Sequence, residues 1–371
     1  MNHPLIFKIN SGNSDIITKS KSPVITSSTV NVPQASLCYH NFIHRTKDYM
    51  NITQNLEIKN QFYYIINPYE LEIPNYEDSV KNMSLKYLNL KDSKLITREF
   101  LIIWEILYLF NLVNKETTYH STKKDSESID NALTKFKQKF YNNSIKTATK
   151  NCDIIFAVDD LNLNNNNFEE QDSYELLLNE LYQILDKQAL KGNCVLKIFE
   201  TYTTVSLKII YILSSFYEEI YLYKPYFSRV SDSEKYIICK GFKNDPKIDE
   251  KLKMINTILK EKNNYIFDIF PELQLSKDYL NSFKFMNIKI ANPQQIIINK
   301  MVTFIKENNY YGEKFHMYKE KSIEATKWWI SMFYPPSNNI YEKNKEEMIK
   351  ILEATIVKNT MEESKLASQI I

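Results

Sequence analysis

The sequence predicts an α/β protein: a mostly parallel sheet whose last strand runs antiparallel, followed by a helical C-terminal region. Three observations carry this. Short apolar runs at 153–158, 195–199 and 220–224 alternate with amphipathic stretches at 174–188 and 205–216, the spacing of strand–helix–strand units. The runs at 220–224 and 235–239 are joined by about ten residues with no helical pattern, too few for a crossover, so they should pair antiparallel. From 246 onward the chain becomes charged with helical spacing, and Pro335-Pro336 divides the last two helices.

In chain order, residues 1–31 are rich in Ser, Thr and Asn and read as a mobile polar arm. Residues 32–96 mix short apolar pieces with turn signals such as Asn67-Pro68 and Ile73-Pro74-Asn75, and give no fold assignment. Thr97-Arg98-Glu99 opens a helix to about Val113 that is apolar on nearly all faces and therefore buried. Residues 114–150 are polar, with one helix at 126–141. DIIFAV (153–158) is a strand ending in Asp159-Asp160, before the Asn-rich loop 162–167. The helix 174–188 has apolar residues at 177, 178, 181, 184 and 185, and Gly192 is expected to stop it. C-terminal helices are expected near 248–262, 293–308, 315–333 and 342–368. The domain reading is thus an arm (1–31), a region of unclear fold (32–96), an α/β core (97–245) and a helical region (246–371).

Composition narrows the function classes. With 47 Lys+Arg against 45 Asp+Glu, interleaved, the chain has no overall cationic field, and any basic surface must be local. Four cysteines (Cys38, Cys152, Cys194, Cys239), three of them in or beside apolar strands, point to a reducing compartment without disulfides, hence a cytoplasmic protein. The longest apolar run, FLIIWEILYLFNLV (100–113), is interrupted by Glu105 and too short to span a bilayer, and no signal-peptide h-region opens the chain.

Candidate site residues cluster at strand ends. In an open α/β sheet the functional crevice lies at the carboxyl ends of the parallel strands. Asp159 or Asp160 ends one strand, Lys197 lies near the end of the next, and Glu234 opens the last, antiparallel one; which aspartate points inward stays open. Lys224, Ser228 and Arg229 surround the loop before Glu234. Each has a plainer reading: Lys197 could snorkel to the sheet end, Asp159-Asp160 could cap the Asn loop, and Glu234 could pair with Arg229 or Lys235. Cys38, His40 and His44 have a spacing faintly like that of metal ligands but lack an evident fourth, so no metal is expected. His316, Trp328 and Trp329 read as core or interface residues of a helix rather than a base-stacking pocket.

Segments DIIFAVDD (153–160), LLLNELYQIL (176–185), GNCVLKIFETYT (192–203) and above all KPYFSRVSDSEKYIICKGF (224–242) resemble the FtsJ-like ribose 2′-O-methyltransferases, including the viral cap methyltransferases. TREFLIIWEIL (97–107) resembles the helix that precedes the family's first strand. The resemblance implies a Rossmann-like methyltransferase sheet, S-adenosylmethionine as methyl donor, capped mRNA as substrate and a viral origin, acting in the host cytoplasm or virion, with a capping or transcription protein as partner. It also implies a catalytic set of Asp159 (or Asp160), Lys197 and Glu234 with a second lysine, Lys197 acting as base toward a ribose hydroxyl, and Lys224, Ser228 and Arg229 holding RNA phosphates.

Two departures from the family pattern matter. Where the family carries its first lysine, this chain has Ile102. The family's glycine-rich cofactor turn has no counterpart either: the four glycines are Gly12, Gly192, Gly241 and Gly312. With only about 40 residues between Val113 and Asp153, the first strand, glycine turn and second strand should not all fit, and the N-terminal half of the sheet is expected to be truncated. The chain thus reads as a cap-methyltransferase homologue, either active or a degenerate RNA-binding or scaffold subunit.

Overall fold

A computed structural model describes residues 5–49, 82–161, 168–228, 230–261, 265–307 and 312–369. Among these residues, seven strands form the central sheet in the order β1-β7-β8-β6-β5-β3-β4. They are β1 (Leu5–Lys8), β3 (Thr118–Ser121), β4 (Lys146–Thr147), β5 (Cys152–Ala157), β6 (Gln188–Ile198), β7 (Tyr217–Lys224) and β8 (Lys235–Phe242). β4, β3, β5 and β6 run parallel, and β8 is inserted antiparallel between β6 and β7. This is the α/β sheet with an antiparallel last strand that the sequence predicts.

The helices follow the sequence pattern closely. α1 (Leu37–Asp48) precedes α2 (Arg98–Phe110), which is capped by Thr97 accepting the Phe100 amide at 3.0 Å. Every α2 residue from Phe100 to Phe110 is buried. α3 (Glu127–Tyr141), α4 (Tyr174–Lys187) and α5 (Thr204–Ser215) connect the strands. Beyond the sheet come α6 (Ile248–Leu259), a strand β9 (Tyr265–Ile269), α7 (Lys277–Lys306), α8 (Glu313–Phe333) and α9 (Asn338–Gln369). α8 and α9 close over α2 through an aromatic cluster: Trp104 and Tyr108 meet Tyr334, Phe333 and Tyr341 with ring centroids 5.1 to 5.5 Å apart.

Four expectations are corrected. Gly192 does not end a helix; α4 stops at Lys187 and Gly192 lies inside β6, where a Cβ would sit 2.9 Å from the Asp153 carbonyl of the neighbouring strand. The polar arm is built into the fold: β1 extends the sheet edge beside β7, and β2 (Val24–Ser27) pairs antiparallel with β9. The first two strands of the parallel half both fit between Val113 and Asp153, because they are cut to four and two residues. Finally, α7 runs through Pro293 rather than starting there. The turn signals at Asn67 and Ile73 lie outside the described residues.

Candidate functional site

The carboxyl ends of β3, β5 and β6 and the start of β8 meet in one polar cleft. β6 delivers Lys197 in register with Tyr236 of β8. The Lys197 Nζ lies 2.6 Å from the Asp160 carboxylate and 3.8 Å from that of Glu234. Tyr236 donates its hydroxyl to Glu234, which the Arg98 guanidinium at the head of α2 also approaches at 3.6 Å. The turn after β3 adds Lys123, whose Nζ bonds Asp160 at 2.8 Å and Glu99 at 2.8 Å. A cavity of about 390 Å³ opens among these groups, with Ile102 on its wall.

Asp160 is thus shared by two ammonium groups. Burial raises its carboxyl, but Lys123 and then Lys197 outweigh that and hold it below the usual range. Lys123 shows the mirror image: desolvation lowers it, and Asp160 and Glu99 more than restore it, so it stays an ammonium. Glu99 is raised by burial despite Lys123. The Asp160 side chain is 60% exposed while Lys197 is 12% exposed, so the cleft offers a solvent-facing carboxylate over a shielded lysine.

The structure brings Lys197, Glu234 and the alternative acid Asp160 together. It does not bring Asp159: its carboxylate accepts the Asp160 backbone amide at 3.0 Å and so shapes the turn. Lys224 is a correction. At the end of β7 its ammonium turns inward and donates to the carbonyls of Asp232 (2.8 Å) and Glu234 (2.7 Å), and burial pushes its pKa down to about 7. Ser228 is likewise buried, 3.4 Å from the Glu234 carbonyl. Both residues are buried in the loop that sets Glu234 and do not present the solvent-facing groups expected of phosphate contacts; Arg229 lies outside the described residues. Trp329 is a core residue, donating its indole N–H to the buried Glu105 at 3.0 Å.

Sequence reading missed Lys123 and Arg98 as site residues. Arg98 stood in the segment resembling the family helix, four residues before Ile102. Lys123 gave no signal, since it sits in a polar stretch without periodicity.

An S-adenosylmethionine cradle requires backbone that approaches the ligand closely, which glycine permits. The turn after β3 (122–126, TKKDS) departs from this pattern, bearing a side chain at every position. Thr122 is stitched down by its amide to the Phe156 carbonyl (3.0 Å) and its hydroxyl to Glu180 (2.8 Å), and Lys123 crosses to Asp160.

The sequence model of the FtsJ-like methyltransferases matches residues 110–242, the segment that holds β3 to β8 and the cleft, and ends where β8 ends. The chain is 30% identical over 245 residues to an uncharacterized protein of Acanthamoeba polyphaga mimivirus, covering 63% of this chain and 65% of that one. It is 27% identical over 147 residues to the cap-specific mRNA (nucleoside-2′-O-)-methyltransferase 1 of Caenorhabditis elegans, or 37% of this chain and 16% of that protein. It is 24% identical over 147 residues to an inactive cap-specific mRNA (nucleoside-2′-O-)-methyltransferase 1B of Caenorhabditis briggsae, or 37% and 17%. The chain therefore spans less than two thirds of the length of each of these relatives. No helix among the described residues is long and apolar enough to cross a membrane.

Proposed function

We propose that this chain is an RNA-binding methyltransferase-fold protein that keeps the acceptor half of a cap 2′-O-methyltransferase site and has closed the donor half. The observation that supports it is Lys123. It arrives on the turn after β3, where the fold would need open backbone for a methyl donor, and ties that turn to Asp160 at 2.8 Å. What persists is a cleft with the Lys197, Lys123 and Arg98 cations beside the Asp160 and Glu234 carboxylates, suited to a ribose hydroxyl and its flanking phosphates. On this reading methyl transfer falls to another protein of a capping or transcription assembly in the host cytoplasm.

Salt-dependent binding of a short capped RNA tests the reading. Affinity should fall steeply with salt, and Arg98→Met with Lys123→Met should weaken binding and reduce the salt slope by about one per lost phosphate contact. Unchanged affinity in the double variant would count against the cleft.

One observation favours a second reading, an active transferase. Lys123 supplies a second ammonium to the site, the charge that Ile102 removes from α2. That reading requires Lys123 to release Asp160 and admit a donor, and it is tested by methyl incorporation into capped RNA.

A further inference from the structure

On the far side of the β6 exit lies a second cluster that the cleft does not use. α1 carries His40 and His44 four residues apart, which places both imidazoles on one face of the helix. Their ring centroids are 4.1 Å apart. Glu200, two residues past the end of β6, meets them with one carboxylate oxygen, Oε2, 2.9 Å from His44 Nε2. Its other oxygen, Oε1, accepts from Lys47 Nζ at 2.8 Å. One ligand-type atom from each of His40, His44 and Glu200 lies within 4.8 Å of the others. Cys38, which shares the sequence spacing of the two histidines, is exposed and outside this cluster.

His40 is the group without an explanation. Both of its ring nitrogens are shielded from solvent, and neither has a hydrogen-bond partner. The Asn41 side chain interacts with the ring, but not at hydrogen-bonding geometry. A shielded polar atom left unpaired costs roughly 1–3 kcal/mol and calls for a missing partner. No group among the described residues supplies one at hydrogen-bonding geometry.

We propose that His40, His44 and Glu200 bind a divalent transition-metal ion of the zinc class, with the remaining position open to water. Two imidazoles and a carboxylate form a donor set that such ions take, with metal–ligand distances of about 2.0–2.2 Å and hence ligand atoms roughly 3.3 Å apart. The 2.9 Å pair of His44 and Glu200 opens slightly, and His40 closes in. Two cations face the cluster and weaken the site without blocking it. Lys47 holds Oε1 and leaves Oε2 toward the histidines, and Lys235 is engaged with the carbonyls of Phe199 and Ser233. The ion would clamp α1 to the strand end three residues beyond Lys197, joining the N-terminal segment to the sheet.

The test uses the full chain after treatment with a chelator. Zinc is titrated in competition with a chromophoric chelator, and cobalt is added to read the coordination geometry from its visible spectrum. One equivalent should bind, and the melting temperature should rise with zinc. His40→Ala should lower affinity at least about tenfold and abolish that rise. Without metal the variant loses the ring's packing against His44 and Tyr202 and no hydrogen bond, so the readout is the zinc-dependent rise within each protein and not the metal-free melting temperature. Lys47→Met should tighten binding by removing a facing charge. Zinc binding no stronger in the wild type than in His40→Ala, or weakened by Lys47→Met, would overturn the proposal.

Discussion

At the scale of single residues, the most consequential group is one the sequence did not announce. Lys123 occupies a turn with no hydrophobic period, and only the folded chain shows it sharing Asp160 with Lys197. The choice between Asp159 and Asp160 had the same origin: adjacent residues at a strand end point to different sides, and period alone does not say which side is the cleft. Lys224 was misread for a related reason. A lysine before a polar loop looks solvent-facing, yet here the β7 pleat turns it toward two carbonyls. Lys197 and Glu234 were legible because an ammonium on an apolar strand and a carboxylate at the next strand's start share one rim.

Glu105 supplies a residue-scale prediction. Completely buried in α2, it accepts from the Tyr223 hydroxyl, the Tyr226 amide (2.7 Å), the Phe227 amide (3.3 Å) and the Trp329 indole (3.0 Å). Burial still dominates and pushes its pKa up to about 7. Between its ordinary 4.5 and about 7 the folded state holds a proton that the unfolded chain has released, so stability falls as pH rises through that window. Glu105→Gln should lower stability by about 1–3 kcal/mol through mispaired donors. It should also flatten the decline between pH 5 and 7, as measured by denaturant titration at each pH. An unchanged pH slope in the variant would rule Glu105 out as its source.

At the scale of elements, strong periodicity was readable and short strands were not. α3, α4 and α5 fall within a residue or two of their expected ends, because amphipathic or wholly apolar runs of twelve to fifteen residues leave little choice. α2 instead stops at Phe110, three residues short of the expected Val113, where Asn111 takes a left-handed conformation. β3 and β4, at four and two residues, are too brief to show alternation; β3 pairs with the β5 edge and β4 in turn with β3. The N-terminal arm was misjudged for the same reason. Its polar composition hides close packing at Gly12, whose amide bonds Ser214 Oγ at 2.7 Å and where a Cβ would stand 2.1 Å from the Tyr211 carbonyl. Gly12→Ala should therefore destabilise the protein by about 1–3 kcal/mol through overpacking, read as a lower denaturation midpoint. A neutral effect would mean the arm does not hold against α5 in solution.

At the scale of the whole molecule, the fold class was legible and the state of the site was only half so. The missing glycine turn and Ile102 were visible as letters; the pinning of the turn after β3 across to Asp160 was not. Global titration follows from the buried groups taken together. Glu105 and Glu180, each pushed up to about 7 by burial, erode stability as pH rises toward neutrality. Lys224 and Lys235, pushed down by burial to about 7 and about 8, act oppositely, since the unfolded chain keeps those protons up to 10.5 while the folded chain does not. Stability should therefore pass through a minimum near neutral pH and recover toward pH 9. A steady fall from pH 7 to 9 in thermal melts would contradict this.

The measurement that bears most directly on a closed donor side is calorimetry of S-adenosylmethionine injected into the complex of the full chain with capped RNA. Because RNA is already bound, any opening of the Lys123–Asp160 contact that the substrate provokes is included. The expected result is no saturable heat up to millimolar cofactor, with no methyl incorporated into the RNA. Saturable binding accompanied by 2′-O-methylation would contradict it.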